Sequence, residues 1–277
     1  MPRLLALLVS AVSAFGVWLT WRAFVGTRTG QTVEEAAFAG ATYGQTRLWE
    51  VAEPILEVVS LTFVVLGAVV AVVIALVRRR FALAIQAVVL VVGANLATQV
   101  LKYLVLDRPD LGGDVGGNTL PSGHTTVAAS FAAALVLVAP RRGRPWLALL
   151  GAGYTAATGV STLIGQWHRP SDAIAAVLLV LAWACLVCAL GPTWHGDDRP
   201  PRPAGTAPAA VALLTGALLT GLPAGFGLAE AYRAAIAGEG LRQVATYVAG
   251  AFGVAAVSAV AFMLLLLVLQ YTARPPE

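Results

Sequence analysis

Apolar runs of transmembrane length recur along the chain, at about 4–25, 55–77, 81–105, 123–140, 146–165, 171–191, 208–227 and 244–270. A helix of ~20 mostly apolar residues crosses the hydrocarbon core of a bilayer, and several of these runs contain no interior Asp, Glu or Lys. The expected fold is therefore all-α: a polytopic membrane helix bundle of about eight transmembrane helices, with both termini on one side. The first run passes a possible cleavage sequence, Val12-Ser13-Ala14, and continues to Val17 and Leu19. That continuation favours an uncleaved anchor. Between the first two runs, 31–53 is expected as a partly amphipathic surface helix with Phe38 and Trp49 as interfacial anchors. Proline and charge crowd the 193–207 stretch, which breaks helices and predicts a cytoplasmic linker. The expected divisions are 1–54 (first span and an extracytoplasmic segment), 55–192 (membrane core), the 193–207 linker and 208–277 (a C-terminal two-helix extension).

Composition agrees with lipid as the solvent. Of 277 residues, 58% are hydrophobic and only 12% charged, against ~25% charged in soluble domains. The net charge of +4 would suggest nucleic acid in a soluble protein, but here topology accounts for it and no nucleic-acid partner is expected. Arg78, Arg79 and Arg80 fill the connection after the second run, and Arg141, Arg142 and Arg144 fill the one after the fourth. Short basic loops stay in the cytoplasm. The segments 26–54, 106–122, 166–170 and 228–243 are then extracytoplasmic, in a multi-pass protein of the cell membrane. Cys185 and Cys188 lie inside the run LAWACLVCAL and read as small buried residues rather than a redox or metal pair.

The chemistry-bearing residues fall in the outer segments. Lys102 and Arg108, in KYLVLDRP, put two cations near the outer interface, where such residues also snorkel to lipid headgroups. Ser122 in Pro121-Ser122-Gly123-His124 caps the fourth run, and the unpaired amides of Gly123 and His124 with the positive helix end suit an oxyanion. His124 adds a proton donor near neutral pH. In STLIGQWHRPSD, Asp172 follows His168 by one helical turn, so the carboxylate holds the imidazole in one tautomer and frees its other nitrogen for attack. His195 falls in the linker and receives no role. No cluster of His, Cys and carboxylates has metal-ligand spacing, so neither metal nor cofactor is expected.

These three segments resemble the motifs of the type 2 phosphatidic acid phosphatase and vanadium haloperoxidase superfamily, in the same order along the chain. The resemblance covers roughly 55–192 and implies a six-helix phosphatase core once the first span is included. It implies that Lys102 and Arg108 hold the phosphate charge, that Ser122 and Gly123 bond its oxygens, and that His124 protonates the leaving oxygen. It further implies that His168, oriented by Asp172, forms a phosphohistidine, without a metal. Five residues separate Lys102 from Arg108 where the family has six, and Thr162 stands where the family's third motif has Arg. Thr162 is kept as a phosphate-side residue; Arg169 is a candidate substitute for the missing cation, or a lipid headgroup contact. The implied activity is metal-independent dephosphorylation of an extracytoplasmic lipid phosphate, such as phosphatidate, phosphatidylglycerophosphate, polyprenyl pyrophosphate or a polyprenyl phosphosugar. The alternatives are a lipid-phosphate binding or transport protein with weak or no catalysis, and vanadate-dependent halide oxidation.

Overall fold

The computed structural model describes residues 2–58, 69, 73, 81–112, 117–191 and 206–272. Among the described residues every regular element is a helix: α1 (Pro2–Thr20), α2 (Arg28–Val58), α3 (Phe81–Val100), α4 (Gly123–Val138), α5 (Arg144–Ile164), α6 (Pro170–Leu190), α7 (Thr206–Ala237) and α8 (Gln243–Thr272). Six helices among these residues are long and apolar enough to cross a membrane, and α4 is a shorter apolar one. The chain is a multi-pass membrane protein. The expected run 55–77 lies largely outside the described residues, as do Arg78, Arg79, Arg80, His195 and all but the last two residues of the expected linker.

α6 is the central helix. It is the most deeply buried of the spans, carries the two free cysteines in its interior and packs against α1, α3, α4 and α8. A single apolar cluster joins Leu90 of α3, Val136 of α4, Ala148 of α5, Val180 of α6, Leu213 of α7 and Leu266 of α8. The outer faces stay apolar, with Phe15 and Trp18 on α1, Ile85 and Leu96 on α3, and Leu219 and Phe226 on α7 exposed. In water such a surface would be unfavourable; against acyl chains it is the appropriate one. The last two helices are not set apart from this core: α8 contributes to it and also packs on α2, α5 and α6.

α2 lies across one end of the bundle rather than through it. Within a single stretch, Gln31 donates to the Pro109 carbonyl after α3, Phe38 accepts from the turn before α6, and Trp49 meets Trp167. Its inward face is small, which allows close approach. A Cβ at Gly40 would lie 2.1 Å from the Gln243 carbonyl oxygen, and one at Gly44 would lie 2.6 Å from the Tyr247 hydroxyl. The surface helix expected at 31–53 is thus part of a longer helix. Phe38 and Trp49 are half-buried and meet protein groups, the Arg169 guanidinium and the Trp167 ring.

Candidate active site

The N-terminus of α4 is built by a polar ladder. Ser122 is its N-cap: Ser122 Oγ accepts from the Thr125 amide at 3.3 Å and from the Thr125 hydroxyl at 3.1 Å. Thr126 donates to the Ser122 carbonyl at 2.8 Å and pairs with Thr98 of α3 at 2.9 Å. One turn below, Asn95 donates to Ser130 at 3.1 Å. Both bonds at Ser122 Oγ are accepted, so its own proton remains available to donate. The Gly123 and His124 amides belong to the first turn and have no carbonyl four residues back. Space above them is open, since a Cβ on Gly123 would meet nothing within 4 Å. Amides, dipole and space together suit an anion.

The α5–α6 turn presents the imidazole and carboxylate. Trp167 and His168 donate their amides to the Thr162 carbonyl at 3.0 and 3.3 Å, folding the chain back on α5. Gln166 takes φ 54°, uncommon for a residue with a side chain. Its amide holds the turn by donating to the Phe38 carbonyl at 2.9 Å and the Thr42 hydroxyl at 3.1 Å, both on α2. Pro170 then starts α6, where its missing N–H costs nothing. Asp172 Oδ2 accepts from the Arg169 amide at 3.0 Å and lies 3.1 Å from His168 Nδ1. This engagement directs His168 Nε2 away from the carboxylate. The Asp172 carbonyl accepts the Ser122 amide at 2.9 Å, tying the two helix starts together. The His124 ring stands 6.3 Å from His168 and 5.2 Å from Trp167, centroid to centroid. His124, His168 and Asp172 are therefore gathered at one end of the bundle.

The cations surround this pair unequally. α3 ends in a wide π turn, Leu101–Val105, closed by the Leu106 amide on the Leu101 carbonyl at 2.8 Å. Lys102 sits in that turn, half-buried, with its ammonium 5.6 Å from the Tyr103 ring centre. The segment beyond is anchored by Asn118, whose amide donates to the carbonyls of Lys102, Leu106 and Leu120, and by Gln31, which donates to Val25 and Pro109. Arg108 is thereby turned inward, its side chain 4% exposed, with Nη2 4.0 Å from Glu35. Arg169 is buried with its guanidinium 5.2 Å from the Phe38 ring centre. Burial, and then the charge of Arg169 beside it, hold Arg108 below its ordinary value. Arg108 Nη2 and Arg169 Nε are buried without a hydrogen-bond partner among the described residues. Two crowded cations with unmet donors fit an oxyanion. Thr162 differs: it is fully buried, and its hydroxyl donates to the Gly159 carbonyl at 2.7 Å in its own helix. Its carbonyl, not its side chain, serves the turn.

Sequence reasoning did not single out Glu34. Its carboxylate is 2% exposed and accepts from the Ser171 amide at 3.2 Å and from the Ser171 hydroxyl at 2.5 Å. Burial, then the neighbouring Asp172 charge, push it up to about 7, against the lowering effect of the Ser171 bonds and Arg169. The available signal was the Glu34-Glu35 pair beside a small-residue face, which only tertiary packing turns inward. Asn118 and Gln166 were also unmarked.

Residues 81–195, from α3 through α6, match the family model of the PAP2 superfamily. This segment is similar to the PAP2 superfamily. The superfamily generally comprises phosphatases acting on phosphate esters, and the matched segment holds every residue of the gathered site except those supplied by α2. No curated protein and no solved structure matches the chain. α1, α2, α7 and α8 lie outside the PAP2 segment.

Proposed function

We propose that the protein removes phosphate from a membrane lipid phosphate through a phosphohistidine intermediate at the extracytoplasmic face. The observation that carries this reading is the buried His168–Asp172 contact of 3.1 Å with the His124 ring 6.3 Å away. Binding alone requires neither an oriented imidazole nor a second one across from it. Arg108, Arg169 and Lys102 supply the charge for the phosphate; Ser122 and the Gly123 and His124 amides supply donors. His168 Nε2 attacks phosphorus, the P–O bond to the lipid breaks, and the departing oxygen takes the His124 proton. Water then attacks the phosphohistidine, the P–N bond breaks, and His124 recovers a proton from that water as phosphate leaves.

A lipid substrate is favoured by position. The site lies at the ends of membrane-spanning helices, and Tyr103, Leu104 and Val105 next to Lys102 are exposed apolar residues, so an amphiphile reaches the cations from the bilayer side. The outer face is favoured by charge: Arg141 and Arg142 lie between α4 and α5 and Arg144 starts α5, at the opposite end, where the positive-inside rule predicts cytoplasm. The test is phosphate release from a panel of lipid phosphates by purified protein in detergent with EDTA. Release is expected to survive EDTA and to disappear in His168→Ala; release unchanged by the substitution would overturn the mechanism. A cysteine placed at Trp167 should react with an impermeant thiol reagent from outside intact cells, and labelling only after lysis would reverse the orientation.

A further inference from the structure

We infer that Glu34 is a positioning residue of the phosphate site, clamping the first turn of α6 through Ser171 and setting the charge against which Arg108 and Arg169 receive the phosphate. The inference rests on the phosphatase reading above and adds a residue from outside the matched segment. Three observations support it. Glu34 is buried and both of its oxygens accept from Ser171, immediately before Asp172. It lies on α2, where Phe38 and Thr42 accept from Gln166 and the Phe38 ring backs Arg169, so one helix braces the α5–α6 turn, the Arg169 guanidinium and the α6 start. The charged and titratable groups around it are Asp172 from α6, Arg169 just before that helix, Arg108 beyond α3 and Tyr232 from α7, with Glu35 adjacent on α2. The neighbourhood thus holds two cations and three carboxylates before any phosphate enters.

A buried carboxylate whose charge is felt by both guanidiniums competes with an oxyanion for them. Ionised Glu34 weakens oxyanion binding, and protonated Glu34 releases both arginines to the ligand. Its proton affinity near neutrality lets the site change between these conditions within the physiological range. Phosphate esters titrate in the same range, so the probe must not. Tungstate, kept dilute enough not to condense at the lower pH, is a tetrahedral dianion throughout.

The experiment is calorimetric titration of tungstate into full-length protein and into Glu34→Gln, at about pH 6 and about pH 8, on either side of the Glu34 value. Glu34→Gln keeps a side-chain acceptor for Ser171 and removes the charge. The two proteins are expected to bind equally at the lower pH, and wild type on the order of tenfold more weakly at the higher. Glu34→Asp, which keeps a carboxylate, should restore the pH-dependent difference. A purely structural role predicts the same ratio at both pH values, and that result would overturn the inference. Infrared spectroscopy of wild type alone provides a readout independent of the variant's folding. A buried carboxyl C=O band should titrate near neutrality and move to higher pH with tungstate bound; a midpoint that tungstate leaves in place rejects the role of Glu34. Failure of wild type to bind tungstate at either pH would instead defeat the phosphatase reading, and this inference with it.

Discussion

The guanidinium of Arg169 lies over the Phe38 ring, 5.2 Å from its centre, bringing the cation next to His168, the proposed nucleophile, onto a platform supplied by a different helix. The ring fixes the plane of the guanidinium without consuming its N–H donors, leaving them for phosphate. Arg169→Ala is expected to lower kcat/KM by roughly ten- to a hundredfold, the cost of about 1.5–3 kcal/mol for a charged hydrogen bond. Phe38→Ala, which keeps the charge but loses the platform, should cost less, about 0.5–2 kcal/mol. Steady-state kinetics of the two variants and their double mutant test this. If Arg169 instead serves only a lipid headgroup, its loss will leave hydrolysis of a short, soluble phosphate ester unchanged.

Thr162 provides the converse case. Its hydroxyl is committed to the Gly159 carbonyl and its side chain is fully buried, so Thr162→Val should leave the Michaelis constant for phosphate esters within about twofold. The expected effect is on stability, about 0.5–1.5 kcal/mol for a lost internal hydrogen bond, read as a lower melting temperature in detergent. A large rise in KM with unchanged stability would make the hydroxyl a phosphate ligand.

The position of His124 separates its role from that of His168. A leaving-group acid matters in proportion to how badly the departing oxygen needs a proton. His124→Gln is expected to lower turnover of an alkyl phosphate by about 10²–10⁴-fold and that of an aryl phosphate, whose leaving group departs as a stable anion, far less. His168→Ala should abolish both. Equal losses on the two substrates in His124→Gln would remove the acid role.

Much of this arrangement was legible in the chain because membrane helices announce themselves by unbroken apolar length. The candidate site residues cluster at helix ends, where polar side chains interrupt those runs. His168 and Asp172 needed only local helix geometry to be brought into register, whereas His124 reaches them through the packing of α4 on the start of α6. Glu34 needed more. Its helix reads as amphipathic surface because it carries adjacent glutamates, and the glycines at 40 and 44 that dock it on α8 have no side-chain pattern to betray a partner. The fate of Thr162 was hidden for a similar reason: whether a helical threonine reaches outward or back to its own carbonyls is a choice of rotamer, not of sequence.

α8 supports the site through a contact that sequence could not suggest. A Cβ at Gly250 would lie 2.4 Å from Pro170 Cγ, the first residue of α6, so any side chain there pushes on the turn that carries His168. Gly250→Val is expected to destabilise the protein by about 1–3 kcal/mol through overpacking and to lower kcat by displacing that turn. A variant with lowered stability but normal kcat per folded molecule would make the contact one of packing alone.

The buried carboxylate of Glu34 ties stability to pH. Its ordinary value is 4.5, and in the fold it is pushed up to about 7. Below 4.5 the group is protonated both folded and unfolded and contributes no pH dependence. Between these values the folded protein keeps a proton that the unfolded chain releases, so stability is lost as pH rises. Above 7 the loss is complete, on the order of 3 kcal/mol from a difference of about 2.5 between the two values. Glu34→Gln carries no such charge. It is therefore expected to melt close to wild type at about pH 4 and several degrees above it at about pH 8, with the gap opening between those values. Thermal unfolding in detergent as a function of pH measures this. A gap of the same size at both ends would mean that the amide substitutes structurally without relieving a charge, and that Glu34 enters the fold already ionised.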